Sequence, residues 1–297
     1  MLEIKNQKTK TTACRENGRS ADFTSGNFIL GCSHKKGDTY DNPCSYCYVA
    51  RFGRQKLYVN TNTDELLAEC DKAIQDLPFP RVPNQVDEKY YYVDISCDTD
   101  INLHWNDYDW IYVFDYFKKH PKLAATFATK WVNTKLLDYV PENKIRVRMS
   151  LMPEKMRAIL ENGTSPIIKR VQFLEKLFQA GYSTHINFSP IIYHDKKLSG
   201  YKELFNIINN EVSEEFKKQA GLECIFLTHN ANLHKINLEK GLLKQEEILW
   251  TLENQEQKIS QYGGSNLRYN QRVKPALIRA FTKSVNQDLN IPIRYIF

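Results

Sequence analysis

Nowhere in the 297 residues do eighteen apolar side chains run together, and the opening stretch MLEIKNQKTK has no apolar core. Neither a membrane-spanning helix nor a secretory leader is therefore expected. A surplus of one charge is also missing. The 41 basic residues against 35 acidic ones leave a formal +6, a mild excess that suits a polyanionic partner without requiring one. No internal repeat and no low-complexity tract occurs, which sets aside repeat architectures and biased tails. Cysteine is sparse and odd in number, seven in all, a poor basis for a disulfide framework. In a reducing compartment, clustered thiols bind metal or do redox chemistry, whereas isolated ones act as small core residues. A cytoplasmic location is the expectation.

What is present describes an ordinary globule: 42% hydrophobic, 12% aromatic and 26% charged residues, in a chain long enough for one large domain or two small ones. Short apolar segments alternate with segments of helical period, the signature of βα units around a parallel sheet. Strands are expected at Phe28 to Leu30, Tyr90 to Ser96, Ala124 to Ala128, Ile145 to Ser150, Thr184 to Ser189 and Cys224 to Thr228. Helices are expected near 63–76, 108–119, 133–139, 153–161, 165–180 and 200–218. Six such units fit an α/β fold, a partial or full TIM-like (β/α)6 barrel; periodicity alone leaves an open doubly wound sheet as the alternative. The expected divisions are a basic N-terminal segment 1–26, a barrel core 27–235 and an appendage 236–297 packed on the barrel. Within the appendage, LLKQEEILWTLENQEQKISQY has a long helical pattern with Leu242, Leu243, Ile248, Leu249 and Leu252 as its apolar stripe. The loop GGSNLRYNQ, a helix near 273–288 and the β-rich end IPIRYIF follow, giving a helical and β-hairpin or strand appendage.

Cys70 in DELLAECDKAI and Cys224 in LECIFL read as core thiols, and Cys14 has no assigned part. Cys32, Cys44 and Cys47 stand together just after an expected strand, in NFILGCSHKKGDTYDNPCSYCYVARFGR. In a barrel that loop opens at the face where sites are built. Two readings are open. With His34, the three thiolates make a four-ligand structural zinc site. An iron–sulfur cube normally takes four cysteines, so three leave one iron open to a chelating cofactor or substrate. Tyr46 and Tyr48, flanking the last cysteine in CSYCY, favour the second, because a structural zinc knuckle has no use for redox-competent phenols.

This loop resembles the cluster-binding loop of radical S-adenosylmethionine enzymes, specifically the spore photoproduct lyase family, whose spacing is Cys, three residues, Cys, two residues, Cys. ISCDTDINLHW, FATKWVNTKLLDYV and the stretch from VRMSLMPEKM to THINFSPII resemble further family segments in the same order, so the likeness covers roughly residues 27–230. IPIRYIF and the RY pair before it are similar more weakly. One departure stands out: eleven residues separate Cys32 from Cys44, as though eight had been inserted through KKGDTYDNP. A polar loop containing Gly37, Asp41, Asn42 and Pro43 can bulge at modest closure cost, about 0.6 kcal/mol per doubling of length.

The resemblance implies that Cys32, Cys44 and Cys47 bind a [4Fe–4S] cluster, whose fourth iron is chelated by S-adenosylmethionine. It further implies that a 5′-deoxyadenosyl radical opens the methylene-bridged thymine dimer of ultraviolet-damaged DNA. Cys97 occupies the place of the hydrogen donor, with Tyr46 and Tyr48 as the relay that resets it. Lys130, Ser150 and Thr99 match cofactor-pocket positions, Asp100 helps shape that pocket, and Arg268 with Tyr269 matches a pair that probes a flipped lesion. The implied partners are lesion-containing DNA and an electron donor such as flavodoxin or ferredoxin, with no membrane. The alternatives are a radical enzyme of the same family with another substrate, and a non-catalytic zinc protein that interacts with nucleic acid through Cys32, His34, Cys44 and Cys47.

Overall fold

The computed structural model describes residues 2–4, 10–14, 20–36, 39–41, 44–49, 57–259 and 264–297; for 2–4, 34–36 and 39–41 it describes the backbone alone. Eight strands form one curled, mostly parallel sheet, a half-barrel. From one edge its order is Ile293–Ile296, Leu222–Phe226, Ser183–Ile191, Ile145–Ser150, Leu123–Thr129, Tyr91–Asp94, Phe23–Thr24 and Thr12–Ala13. Only the last pairing is antiparallel. Five of the six expected strands lie in it. The expected first strand does not: Ile29–Leu30 pairs instead with Leu57–Val59 in a separate small sheet, and Phe23–Thr24 takes the place beside Tyr91–Asp94. Phe28 is fully buried against the rings of Tyr108 and Trp110, which anchors this segment under the sheet's end rather than within it.

Alternation along the strands separates two faces. In Ile145–Ser150 every residue is buried, yet Ile145, Val147 and Met149 join the apolar core while Arg146, Arg148 and Ser150 lie on the other face. There Arg148 reaches Asp94 at 2.6 Å and Glu223 at 3.6 Å, so the concave side of the half-barrel is lined by paired charge. The convex side is covered by amphipathic helices. In Trp110–Lys119 the buried positions Trp110, Val113, Phe114 and Phe117 recur at helical spacing, and Asp109 caps the start by accepting from the Tyr112 N–H at 3.0 Å. Each such side chain contributes about 1.5–3 kcal/mol of burial. Cys70 and Cys224 are likewise fully buried in the core.

The expected helix 200–218 is two, Tyr201–Glu211 and Glu214–Gln219, because Ser213 breaks the run and caps the second by accepting from Phe216 N–H at 3.1 Å. The expected 133–139 helix is a short 3₁₀ turn, Thr134–Asp138. The long helix expected through 240–262 is corrected more strongly. Among the described residues of this stretch only Leu243–Leu249 is α-helical, a single 3₁₀ turn follows at Leu252–Asn254, and Gln255–Ile259 pairs antiparallel with Ser265–Tyr269. The Gln255 side chain ends the helix: its Nε2 donates to the Leu249 carbonyl at 2.9 Å, and its Oε1 accepts from Thr251 N–H at 2.9 Å. The proposed stripe is not buried as one either, since Leu243 and Leu252 are 61% and 58% exposed. A helix that was not foreseen, Ala231–Glu239, is capped by Asn230. After Lys274–Asp288, the chain end joins the main sheet parallel to Leu222–Phe226. No helix among the described residues is long and apolar enough to cross a membrane.

Candidate active site

The C-terminal ends of parallel strands are where α/β sheets build sites. Here they frame a cavity of about 180 Å³ lined by Cys32, Cys44, Cys47, Tyr48, Cys97 and Thr99, and further by Asp100, Lys130, Ser150 and Asn187. The structure thus brings together nine residues singled out from the sequence for a site, Asp100 among them; the Tyr46 ring lies against Lys130 beside them.

Cys32 comes to the cavity through Gly31, whose φ of +125° is open to glycine and whose N–H donates to the Asp98 carbonyl at 3.0 Å. This bond ties the first cysteine to the loop carrying Cys97. Within the eleven-residue gap, His34–Lys36 and Thr39–Asp41 pair antiparallel, His34 opposite Asp41 and Lys36 opposite Thr39. Gly37, Asn42, Pro43 and the side chains of His34 and Asp41 lie outside the described residues. Cys44 bridges to Glu161, Ser45 N–H donates to the Leu160 carbonyl at 2.9 Å, and Cys47 N–H donates to the Cys44 carbonyl at 3.2 Å. The two cysteines are therefore the ends of one tight turn braced against the end of the Glu154–Leu160 helix.

Burial pushes the Cys32 and Cys44 thiols well above their ordinary range, and the mutual charge of neighbouring thiols adds to the rise, whereas Lys130 opposes it. Desolvation would lower the Lys130 ammonium, but Cys44, Glu161 and Cys47 outweigh it and hold the charge. Glu161 is 1% exposed and anchors this side of the site. It accepts from Arg170 Nη2 at 2.7 Å and from the Tyr46 hydroxyl, and lies 3.9 Å from Lys130 Nζ. Burial raises its carboxyl, yet Arg170 and Lys130 prevail and keep it below the usual carboxylate range.

Cys97 follows the Tyr91–Asp94 strand. Desolvation, then the Asp94 charge, raises its thiol well above the ordinary value against the pull of Arg148, so the sulfur carries its proton at neutral pH. The Tyr48 hydroxyl donates to the Cys97 carbonyl, setting the phenol beside the thiol-bearing residue. Asp100 accepts from Thr129 Oγ1 at 2.7 Å and from Lys130 N–H at 2.7 Å, which fixes the floor.

A cluster and a chelating cofactor are tested by what the cavity leaves unmet. Three thiols face one space beside a held ammonium. Three buried polar atoms of its lining, Ser96 Oγ, Thr99 Oγ1 and Asn187 Oδ1, have no partner among the described residues. Such atoms carry a desolvation cost of about 1–3 kcal/mol each unless a ligand meets them. The residues present fit the groups.

Arg268 and Tyr269 are not brought to this cavity. Arg268 is engaged by Glu256, 2.8 Å from its Nη2. Tyr269 is 1% exposed, its hydroxyl accepting from Tyr193 N–H at 2.7 Å and its ring enclosed by Tyr193 and Phe226. It presents no face to a base in this structure. Sequence reasoning missed Glu161, Arg170 and Asn187. Asn187 was signalled by a polar residue in the apolar strand THINFSPI, and Glu161 by a charge just after a helix end in LENGT.

The sequence pattern of the family described as "Spore photoproduct lyase" matches residues 39–296. The spore photoproduct lyase of Bacillus subtilis (strain 168) is 26% identical over 186 residues, which cover 61% of this chain and 52% of that protein. That of Clostridium acetobutylicum is 21% identical over 257 residues, 85% of this chain and 73% of its own. The chain therefore spans about half the length of the first of these relatives. Among solved structures, a spore photoproduct lyase double mutant with bound AdoMet and dinucleoside spore photoproduct is similar with a TM-score of 0.82 at 19% identity, covering all of this chain and 82% of the other. A spore photoproduct lyase complexed with the same dinucleoside has a TM-score of 0.76, also at 19% identity and the same coverage. These likenesses establish the half-barrel fold.

Proposed function

The chain belongs to the spore photoproduct lyase family, and from that premise we propose that it is a radical S-adenosylmethionine lyase that repairs spore photoproduct or a related thymine lesion in DNA. The observation that carries the reading is the shared cavity: three thiols and a fourth, protonated one open into a single space at the ends of the parallel strands.

Cys32, Cys44 and Cys47 would hold a [4Fe–4S] cluster, and Thr99, Ser150 and Lys130 would hold S-adenosylmethionine beside it. When bound, these groups supply a 5′-deoxyadenosyl radical able to take hydrogen from carbon. The chain's own residues do the rest. Cys97 gives its sulfur-bound hydrogen atom to the thymine carbon radical, forming a C–H bond and leaving a thiyl. Its high thiol pKa suits this part, because a thiolate has no hydrogen to give. Tyr48, hydrogen-bonded to the Cys97 backbone, passes its phenolic hydrogen atom to that thiyl, which restores the thiol and leaves a phenoxyl radical that a hydrogen atom from 5′-deoxyadenosine would reset. Tyr46 is held by Glu161, whose charge Arg170 and Lys130 balance, so its phenol sits in a fixed orientation at the relay's far end. The Lys130 ammonium complements the carboxylate of the cofactor. Burial of the lining keeps water from the radicals.

The test is an anaerobic assay of reduced protein with S-adenosylmethionine and DNA containing the methylene-bridged thymine dimer. Thymine monomer is the expected product, with about four irons per chain lost on changing Cys32, Cys44 or Cys47 to Ala. Release of 5′-deoxyadenosine without loss of lesion would assign another substrate. Zinc at the thiols in place of iron would end the radical reading.

A further inference from the structure

Away from the thiol cavity, three metal-ligating side chains converge. His229 ends the short strand Thr228–His229, His234 lies in the helix Ala231–Glu239, and Glu246 lies in the helix Leu243–Leu249. One donor atom of each is within 4.8 Å of the other two. His229 Nε2 and His234 Nδ1 stand 3.0 and 2.5 Å from the same carboxylate oxygen, Glu246 Oε2. His229 and Glu246 are buried, while the His234 side chain is 23% exposed and opens the group to solvent.

The surroundings hold these donors in place. Trp250 stacks on His234 with centroids 4.1 Å apart and planes 14° apart, which sets the imidazole plane. Fully buried Asn237 donates through Nδ2 to Glu246 Oε1, and the same amide donates to the Ser45 carbonyl at 2.7 Å, between Cys44 and Cys47. The Glu246 carboxylate is thereby fixed from three sides, by His229, His234 and Asn237. His229 Nδ1 has no hydrogen-bond partner among the described residues. That nitrogen has no acceptor or donor to oppose its carrying the proton when Nε2 turns to an ion in place of its hydrogen bond to Glu246.

We propose that His229 Nε2, His234 Nδ1 and Glu246 Oε2 bind one divalent ion of the zinc class. Two imidazoles and a carboxylate are a zinc donor set that leaves a fourth position for water, and the His234 side is where water can reach. On binding, each ring presents a bare nitrogen to the ion, and the hydrogen that nitrogen carried passes to the other ring nitrogen or to solvent. Two N–H···O bonds are exchanged for three metal bonds. Asn237 stays outside the ligand set as the bond that orients Glu246 and links the ion to the loop between the two cysteines. The part assigned to the ion is structural: it clamps one strand and two helices onto that loop.

The experiment is metal analysis of the full chain with Cys32, Cys44 and Cys47 changed to Ala, so that thiols cannot contribute, after equilibration with zinc and removal of the unbound ion. About one zinc per chain is expected, lost in the same background on adding His234→Ala, with Asn237→Ala weakening zinc affinity about 10–100-fold. Cobalt(II) added to the metal-free unaltered chain gives a second measurement that does not depend on the folding of the thiol-free variant: beside any thiolate-bound cobalt, visible d–d bands of a nitrogen- and oxygen-ligated ion that are lost with His234→Ala. None of these readings needs iron, S-adenosylmethionine or DNA, so their outcome is separate from that of the repair assay. No zinc on the thiol-free chain, zinc unaffected by His234→Ala, or a cobalt spectrum of thiolate character alone would overturn the proposal.

Discussion

Arg170→Met should cost this protein a large share of its stability, although no surface residue is touched. The Arg170 side chain is 0% exposed and makes four bonds: Nε to the Ser165 carbonyl (2.8 Å), Nη1 to the Ser150 carbonyl (2.8 Å), and Nη2 to Glu161 (2.7 Å) and Thr164 Oγ1 (2.5 Å). Methionine roughly fills the volume but leaves Glu161 buried against Tyr46 and a lysine 3.9 Å away. Breaking one side of a buried ion pair costs about 3–5 kcal/mol. The two stranded carbonyls push the expectation towards the top of that range. Against a total of about 5–15 kcal/mol for a domain, the variant keeps half or less wherever that total is about 10 kcal/mol or lower. With guanidinium slopes of about 2–6 kcal/mol per molar, the midpoint should fall by about 1 M. The assay is anaerobic guanidinium unfolding of the metal-free chain, followed by tryptophan fluorescence and far-ultraviolet circular dichroism, so that no bound group adds its own linkage. Adding Glu161→Met removes the orphaned charge as well, and the double variant should be more stable than the sum of the two single losses predicts. A loss below about 1 kcal/mol for Arg170→Met, or strict additivity, would refute the idea that this pair is closed to water.

Glu161, held below the usual carboxylate range, contributes stability that is fully present above that range and is lost as pH falls through its depressed folded value. The pH dependence of the unfolding midpoint should therefore flatten on its acid side in Glu161→Gln, and an unchanged profile would contradict this. Because Cys97 carries its proton, peptide mapping after iodoacetamide treatment at pH 8 should find it alkylated at least ~10-fold more slowly than free cysteine, whose thiol titrates near 8.5; equal rates would sink the assignment. Cys97→Ala should keep cleavage of S-adenosylmethionine and divert the thymine radical to abnormal adducts, and clean repair by that variant would remove Cys97 from the mechanism. Affinity for lesion DNA should fall as salt rises, with a log–log slope of about −0.9 per phosphate neutralised, whereas a flat response in a binding titration argues against DNA.

Much of the site was legible because its chemistry sits in short runs. CSYCY carries two thiols and two phenols in five residues, and the strand-end residues Cys97, Lys130 and Ser150 fall where alternating apolar segments stop. The parallel sheet was legible for the same reason, since βα periodicity is local. What escaped was long-range. Glu161 and Arg170 meet across a helix and a turn, Ile29–Leu30 lies outside the main sheet because it pairs with Leu57–Val59, and the C-terminal strand finds its partner some seventy residues earlier. Helical period also misled between 240 and 262. The Gln255 amide ends the helix by a contact that no periodicity encodes, and the hairpin this permits sets Arg268 and Tyr269 in a paired strand rather than a loop. His229, His234 and Glu246 went unnoticed because they come from one strand and two helices that meet only in the fold, and only Glu246 falls within the long helix anticipated for 240–262.

The hairpin between Cys32 and Cys44 makes the length of that arm adjustable in steps of a rung. His34, Lys35 and Lys36 face Asp41, Tyr40 and Thr39 in register, so adding or deleting one residue on each side keeps the remaining rungs in register. Removing a residue from one side only exchanges the two faces of everything beyond it. Within these three rungs, residues can therefore be taken out or put in two at a time, one per strand, with the pairing of the rest unchanged.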